Sequence, residues 1–100
     1  MNANRTAKFC LGQIVATPGA IEAMEESGQT PDFFLDRHAS ADWGEVSQED
    51  WRLNDESVRD GSRILSAYRT LKGTKLWVIT EAVDDDGHRA ATTLLLPDEY

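Results

Sequence analysis

Apolar residues recur along this chain in two rhythms, and the change between them falls near Gly61. Before that point the spacing is mostly helical; after it, apolar and polar residues alternate. Lys8 to Ala16 reads as an opening strand, with Phe9, Leu11 and Val15 on one face and Cys10 and Ile14 on the other. Thr17-Pro18 then starts a helix, since a hydroxyl caps free amides and proline at the first position loses no hydrogen bond. Ile21 and Met24 share a face of that helix, and Gly28 supplies a left-handed stop. Thr30-Pro31 repeats the device, with Asp32 in the first turn and Phe34, Leu35 and His38 on one buried face. Ser47-Gln48-Glu49-Asp50 resembles a capping box and opens a third helix that runs to Asp60 and stops at Gly61. Its apolar face is thin, holding Trp51 and Val58 with Leu53 to one side.

From Arg63 the period becomes two. Ile64, Ser66 and Tyr68 alternate with Leu65 and Ala67, and Thr74 to Ala82 is the strongest strand in the chain. Asp84-Asp85-Asp86-Gly87 makes a hairpin turn, because aspartate and glycine tolerate positive φ. Arg89 to Leu96 is the last strand, ended by Pro97. Short turns between these strands imply an antiparallel meander. The expected architecture is a two-layer α+β domain: an antiparallel sheet of three to four strands, with about three short helices packed on one face. Residues 1–7 read as a flexible leader and residues 8–100 as a single domain.

Length and composition fit that picture. A chain of 100 residues buries roughly 60–70% of its unfolded surface, enough for one core without staples. Cys10 is the sole cysteine, so no internal disulfide forms, and a reducing cytoplasm is the expected compartment. Arg5 and Lys8 ahead of an apolar run resemble a signal peptide, but Gly12 and Gln13 interrupt the run and Pro18 follows it closely. No stretch approaches the roughly 18 apolar residues of a membrane span.

The net charge of −8 is unevenly spread: +2 over residues 1–16, −9 over residues 17–60 and −1 over residues 61–100. The acid therefore belongs to the helical segment. Such a surface repels nucleic-acid phosphates and suits a basic protein partner. Direct nucleic-acid binding is not expected.

Several short runs carry a likeness. Leu11-Gly12-Gln13-Ile14-Val15-Ala16-Thr17-Pro18-Gly19-Ala20, Asp42-Trp43-Gly44, Ser66-Ala67-Tyr68, Trp77-Val78-Ile79-Thr80 and Thr92 to Tyr100 together resemble a family of small bacterial proteins, often labelled plasmid-related or hypothetical. The resemblance spans Phe9 to Tyr100 and implies a bacterial, mobile-element setting without an activity. The last hairpin, Val83 to His88, is longer than the family's turn. Some relatives carry restriction-modification labels, but this chain lacks the length and glycine-rich loop of a methyltransferase.

Candidate chemistry is sparse. His38 and His88 are the two histidines, and with one cysteine no local zinc pattern can be assembled. Asp84-Asp85-Asp86-Gly87 lacks the staggered ligands of a calcium loop and reads as a plain turn; no metal is expected. No phosphate-cradling or dinucleotide loop is present, so no cofactor is expected. Thr17-Pro18-Gly19 could hold an anion on free amides, although a helix cap explains the same residues. Cys10 reads as a small buried hydrophobe.

Three functional readings remain. The leading one is a non-enzymatic protein-binding or regulatory module, in which Glu22, Glu25, Glu26, Asp32 and Asp36 face a basic partner and Trp43, in its loop, is partly exposed. Trp77 belongs to the core in this reading. The second is a small metal-independent ribonuclease, with His38 above a sheet bearing Arg63, Ser66, Tyr68 and Arg89, and with Thr80 and Thr92 nearby. The third is an acidic mimic of nucleic acid, which needs its carboxylates in a row.

Overall fold

The computed structural model describes residues 7–100, so the leader expected over residues 1–7 lies outside the described residues except for Ala7. The elements are β1 (Gln13–Ala16), α1 (Pro18–Ser27), α2 (Pro31–Ala39), α3 (Gln48–Asp60), β2 (Ile64–Arg69), β3 (Lys75–Thr80) and β4 (Ala91–Leu95), followed by a 3-10 turn at Pro97–Glu99. They form a small α+β domain around one four-stranded sheet of order β1-β4-β3-β2.

The sheet is mixed rather than antiparallel. β2–β3 and β3–β4 are antiparallel, as the short turns joining them require, but β1 runs parallel to β4 with Ile14 opposite Thr92. A turn constrains only the two strands it joins. β1 reaches β4 after three helices and two strands, and a connection that long permits a parallel pair.

Local signals account for the helix ends. Thr17 Oγ1 accepts the Ala20 amide at 3.2 Å, Pro18 occupies the first turn, and Gly28 closes α1 at φ +70°. Ser47 Oγ accepts the Asp50 amide at 3.0 Å at the start of α3, and Gly61 ends that helix in the left-handed region. Thr30 takes the extended cap geometry of α2 without a side-chain cap bond.

Packing departs from the pattern in two of the helices. In α1 the buried residues are Ala20, Ala23 and Met24, while Ile21 stays exposed, because small alanines let the helix approach the sheet closely. In α3 the buried residues are polar, Asn54 and Ser57, since this helix meets the outer edge of β2 rather than the face beneath α1 and α2. There Asn54 Nδ2 donates to the Leu65 carbonyl at 2.8 Å, and its Oδ1 accepts the Leu65 amide. Two residues along, Glu45 N donates to the Ala67 carbonyl and Ala67 N donates to the Trp43 carbonyl. The edge groups of Leu65 and Ala67, which a bare edge would offer to another chain, are thereby partnered.

The opening strand is also shorter than expected. Residues 8–12 approach the sheet irregularly, and Gly12, at φ +68°, lies so close to the Arg89 and Ala90 backbone that a Cβ would collide. Cys10, in this segment, is exposed rather than buried.

The main core lies between α1, α2 and one face of the sheet. Ala20, Met24, Phe34 and Leu35 meet Tyr68, Leu76, Val78 and Leu94. Burying a Phe34 or Leu76 side chain contributes about 1.5–3 kcal/mol. The same sheet face continues through Ser66, Thr80 and Thr92, all fully buried and all polar. On the opposite face Trp77 is half-buried against Tyr100 and is not a core residue.

Candidate functional site

Polar residues on the buried face of three strands converge beneath the last turn of α2. His38 projects from that turn and has no solvent exposure. Its Nδ1 lies 2.5 Å from Ser66 Oγ on β2, and its Nε2 lies 2.8 Å from Thr80 Oγ1 on β3. Thr80 Oγ1 is 2.7 Å from Thr92 Oγ1 on β4, and the Thr92 hydroxyl donates to the Leu11 carbonyl at 2.7 Å.

Counting hydrogens along this chain sets the direction of every bond. The Leu11 carbonyl can only accept, so Thr92 donates to it and must accept from Thr80. Thr80 has then used its hydrogen and accepts from His38 Nε2–H. The neutral ring is left with a bare Nδ1, which accepts the Ser66 hydroxyl. All four hydrogens are used once, and the tautomer is Nε2–H.

The surroundings keep this imidazole neutral. Phe9 meets it edge-on at 5.3 Å and Trp43 at 5.7 Å. Burial, reinforced by the positive charge of Arg89, pushes the His38 pKa down to about 3. At neutral pH the ring is a fixed donor and acceptor inside the core.

The other ribonuclease candidates do not join it. The Phe9 ring contacts both His38 and Arg89, with the Arg89 guanidinium carbon 5.5 Å from its ring centre. Arg89 is buried and spends its donors on three carbonyls: Nη1 on Ser62 at 2.8 Å and Glu81 at 3.0 Å, Nη2 on Ser57 at 2.9 Å. Tyr68 shares the face of Ser66 but donates its hydroxyl to the Asp42 carbonyl at 2.6 Å. Arg63 is exposed and donates to the Tyr100 hydroxyl. Of the set, the structure brings together His38, Ser66, Thr80 and Thr92, and leaves Arg63, Tyr68 and Arg89 outside the chain of bonds.

The binding candidates divide in two. Trp43 is fully buried, not partly exposed: its Nε1–H donates to Asp55 Oδ1 at 2.9 Å, and its ring lines the His38 site. Glu22, Glu25 and Glu26 on α1 and Asp32 and Asp36 on α2 are all exposed. Among the described residues none of the five is in an ion pair, whereas Asp42, Glu45 and Glu56 pair with Arg37, Arg69 and Arg52.

Two further acidic features have local explanations. The amides at the start of α1 are taken by the chain itself: Glu99 Oε2 accepts Gly19 N at 3.0 Å, and Oε1 accepts the Thr17 hydroxyl at 2.5 Å. The Thr17 hydroxyl and the Leu96 amide hold the Glu99 carboxyl below the usual glutamate range. In the last hairpin, Asp84, Asp86 and His88 place potential ligand atoms within 4.8 Å of one another, all exposed. Asp84 Oδ1 already accepts the Asp86 and His88 amides, which is the ordinary hydrogen bonding of an aspartate turn.

Sequence reasoning missed the roles of Leu11, Phe9 and Glu99. Each acts on a residue at least 29 positions away, and no local spacing encodes such a contact. Asn54 and Asp55 carried a signal, being polar residues beside the thin apolar stripe of α3. No protein-family model matches this chain, and no curated protein or solved structure matches it.

Proposed function

We propose that the protein is a non-enzymatic binding module whose α1–α2 surface meets a basic protein partner. The observation that carries this reading is the set of five exposed carboxylates, Glu22, Glu25, Glu26, Asp32 and Asp36, none of them in an ion pair among the described residues. Charges of one sign left uncompensated on one layer steer an oppositely charged partner and repel nucleic acid. The mobile-element setting implied by the resemblance belongs to the same proposal.

Burial favours this reading over RNA cleavage. A general base must come within hydrogen-bond reach of the 2′-hydroxyl, and both His38 nitrogens are already engaged inside the core. The nucleic-acid mimic is a special case of the same surface and predicts competition with duplex DNA for the partner's groove.

The test compares two variants of equal charge change. One carries Glu22→Lys, Glu25→Lys and Glu26→Lys; the other carries Asp84→Lys, Asp85→Lys and Asp86→Lys in the distant hairpin. Partners captured from a bacterial lysate should be lost with the first and kept with the second. Loss with both would reduce the interaction to net charge, and retention with both would reject the α1 surface.

A further inference from the structure

Arg89 is 6% exposed, yet no carboxylate of a described residue lies within ion-pair distance of it. Its carbonyl partners Ser57, Ser62 and Glu81 satisfy hydrogens but carry no negative charge, and the exposed Asp60 compensates the guanidinium only from beyond ion-pair distance. A buried guanidinium is normally matched to an anion, for which its planar fork is suited. Desolvation duly lowers its pKa.

This guanidinium lines a solvent-open cavity of about 550 Å³ between the segment before β1, the end of α3 and the last hairpin. That volume falls in the range of small-molecule sites. The lining holds three cations, Lys8, Arg59 and Arg89, against one carboxylate, Asp60. Asp60 Oδ1 is already engaged by the Ser62 amide. In a chain of net charge −8, a cavity with this balance runs against the character of the rest of the surface. Phe9 and Val58 give the same cavity an apolar wall, and His88 stands at its rim on the hairpin.

We propose that this cavity binds a small organic anion, a carboxylate or phosphate monoester on an apolar body, with Arg89 as the buried countercharge. The charge of the ligand compensates Arg89, Lys8 and Arg59 supply long-range attraction, and Phe9 and Val58 receive the body. The site is separate from the α1–α2 surface, so its test does not depend on the function proposed above.

The experiment follows backbone amides by NMR while titrating benzoate, phenyl phosphate, inorganic phosphate and, as a neutral match, benzyl alcohol. Benzoate or phenyl phosphate should shift the amides of Phe9, Gly87 and His88, and the stronger of the two identifies the anionic head. Replacing Arg89 removes three structural hydrogen bonds and risks the fold, so the variant used is Lys8→Gln with Arg59→Gln, both exposed. Loss of two exposed charges should weaken binding roughly two- to tenfold. A matched control, Lys72→Gln with Lys75→Gln in the β2–β3 hairpin, should leave it unchanged. The proposal is overturned by an absence of shifts with both organic anions, by equal shifts with benzyl alcohol, or by undiminished affinity in the Lys8–Arg59 variant. Inorganic phosphate binding as tightly as phenyl phosphate would remove the apolar body from it.

Discussion

The Ser66 hydroxyl donates to His38 Nδ1 at 2.5 Å in a part of the core that contains no compensating acid. Protonating that nitrogen would turn an acceptor into a donor and leave the Ser66 hydrogen without its acceptor. The ring is therefore bound in its neutral form, and this has a thermodynamic consequence.

Because burial lowers the His38 pKa from 6.5 to about 3, the unfolded chain binds more protons than the folded one between those limits. Stability rises with pH wherever that holds, so the contribution is complete above about pH 6.5 and falls away toward pH 3. At pH 5 the loss from this group alone is about 2 kcal/mol. Urea midpoints at pH 7, 6, 5 and 4 should show this slope, and His38→Gln should flatten it. An equally steep decline in the variant would remove His38 as its source.

The direction of the hydrogen-bond chain predicts an order among neighbouring substitutions. Ser66→Ala strips the donor from a nitrogen lone pair. Thr80→Val leaves the His38 Nε2–H without an acceptor and also removes the donor to Thr92. Each buried group left unpaired costs about 1–3 kcal/mol, so Thr80→Val should be the more destabilising of the two in chemical denaturation. The reverse order would show that His38 carries its proton on Nδ1.

At the outer edge of β2, Asn54 imitates a neighbouring strand by bonding both the amide and the carbonyl of Leu65. Asn54→Leu keeps the bulk and removes both bonds. A stability loss of about 1–3 kcal/mol is expected. The freed edge should also raise self-association, measured by sedimentation velocity across a concentration series. A variant as monomeric as the parent chain would show that residues 43–45 protect the edge unaided.

Glu99 tests a second pH range with the same sign. Its carboxyl is held below the usual glutamate range in the folded state by the Thr17 hydroxyl and the Leu96 amide. Its contribution is therefore present at neutral pH and lost as pH falls through the folded-state value. Glu99→Gln should lower the melting temperature at pH 7, and the gap to the parent should narrow toward pH 3. A non-zero gap independent of pH would mean that the contribution of Glu99 does not depend on its ionisation, and no gap at pH 7 would mean that glutamine serves the Thr17 and Gly19 contacts equally well.

How far the sequence reveals this molecule depends on the distance over which each feature is specified. Thr17, Pro18, Gly28, Ser47 and Gly61 act within one helical turn, and the helices begin and end where those residues place them. The pairing of β2 with β3 and of β3 with β4 is equally local. The parallel partnership of β1 with β4 was not legible, since it joins Ile14 to Thr92 across most of the chain. His38 and Ser66 were readable as residues facing one another across two layers. Their closure from solvent was not, because it comes from Phe9 and Trp43. Trp43 in turn is fixed by Asp55, on a different helix. Cys10 and Ile21 are misplaced by periodicity for a related reason: residues 8–12 are irregular, and alanines bring α1 close to the sheet.

The Nε2–H of His38 has one further consequence. This proton lies behind two aromatic rings and ends in a relay that terminates on a backbone carbonyl. It can be replaced by deuterium only when that region opens. A single imidazole resonance, followed in heavy water, should act as a clock for the breathing of the whole α2–sheet interface.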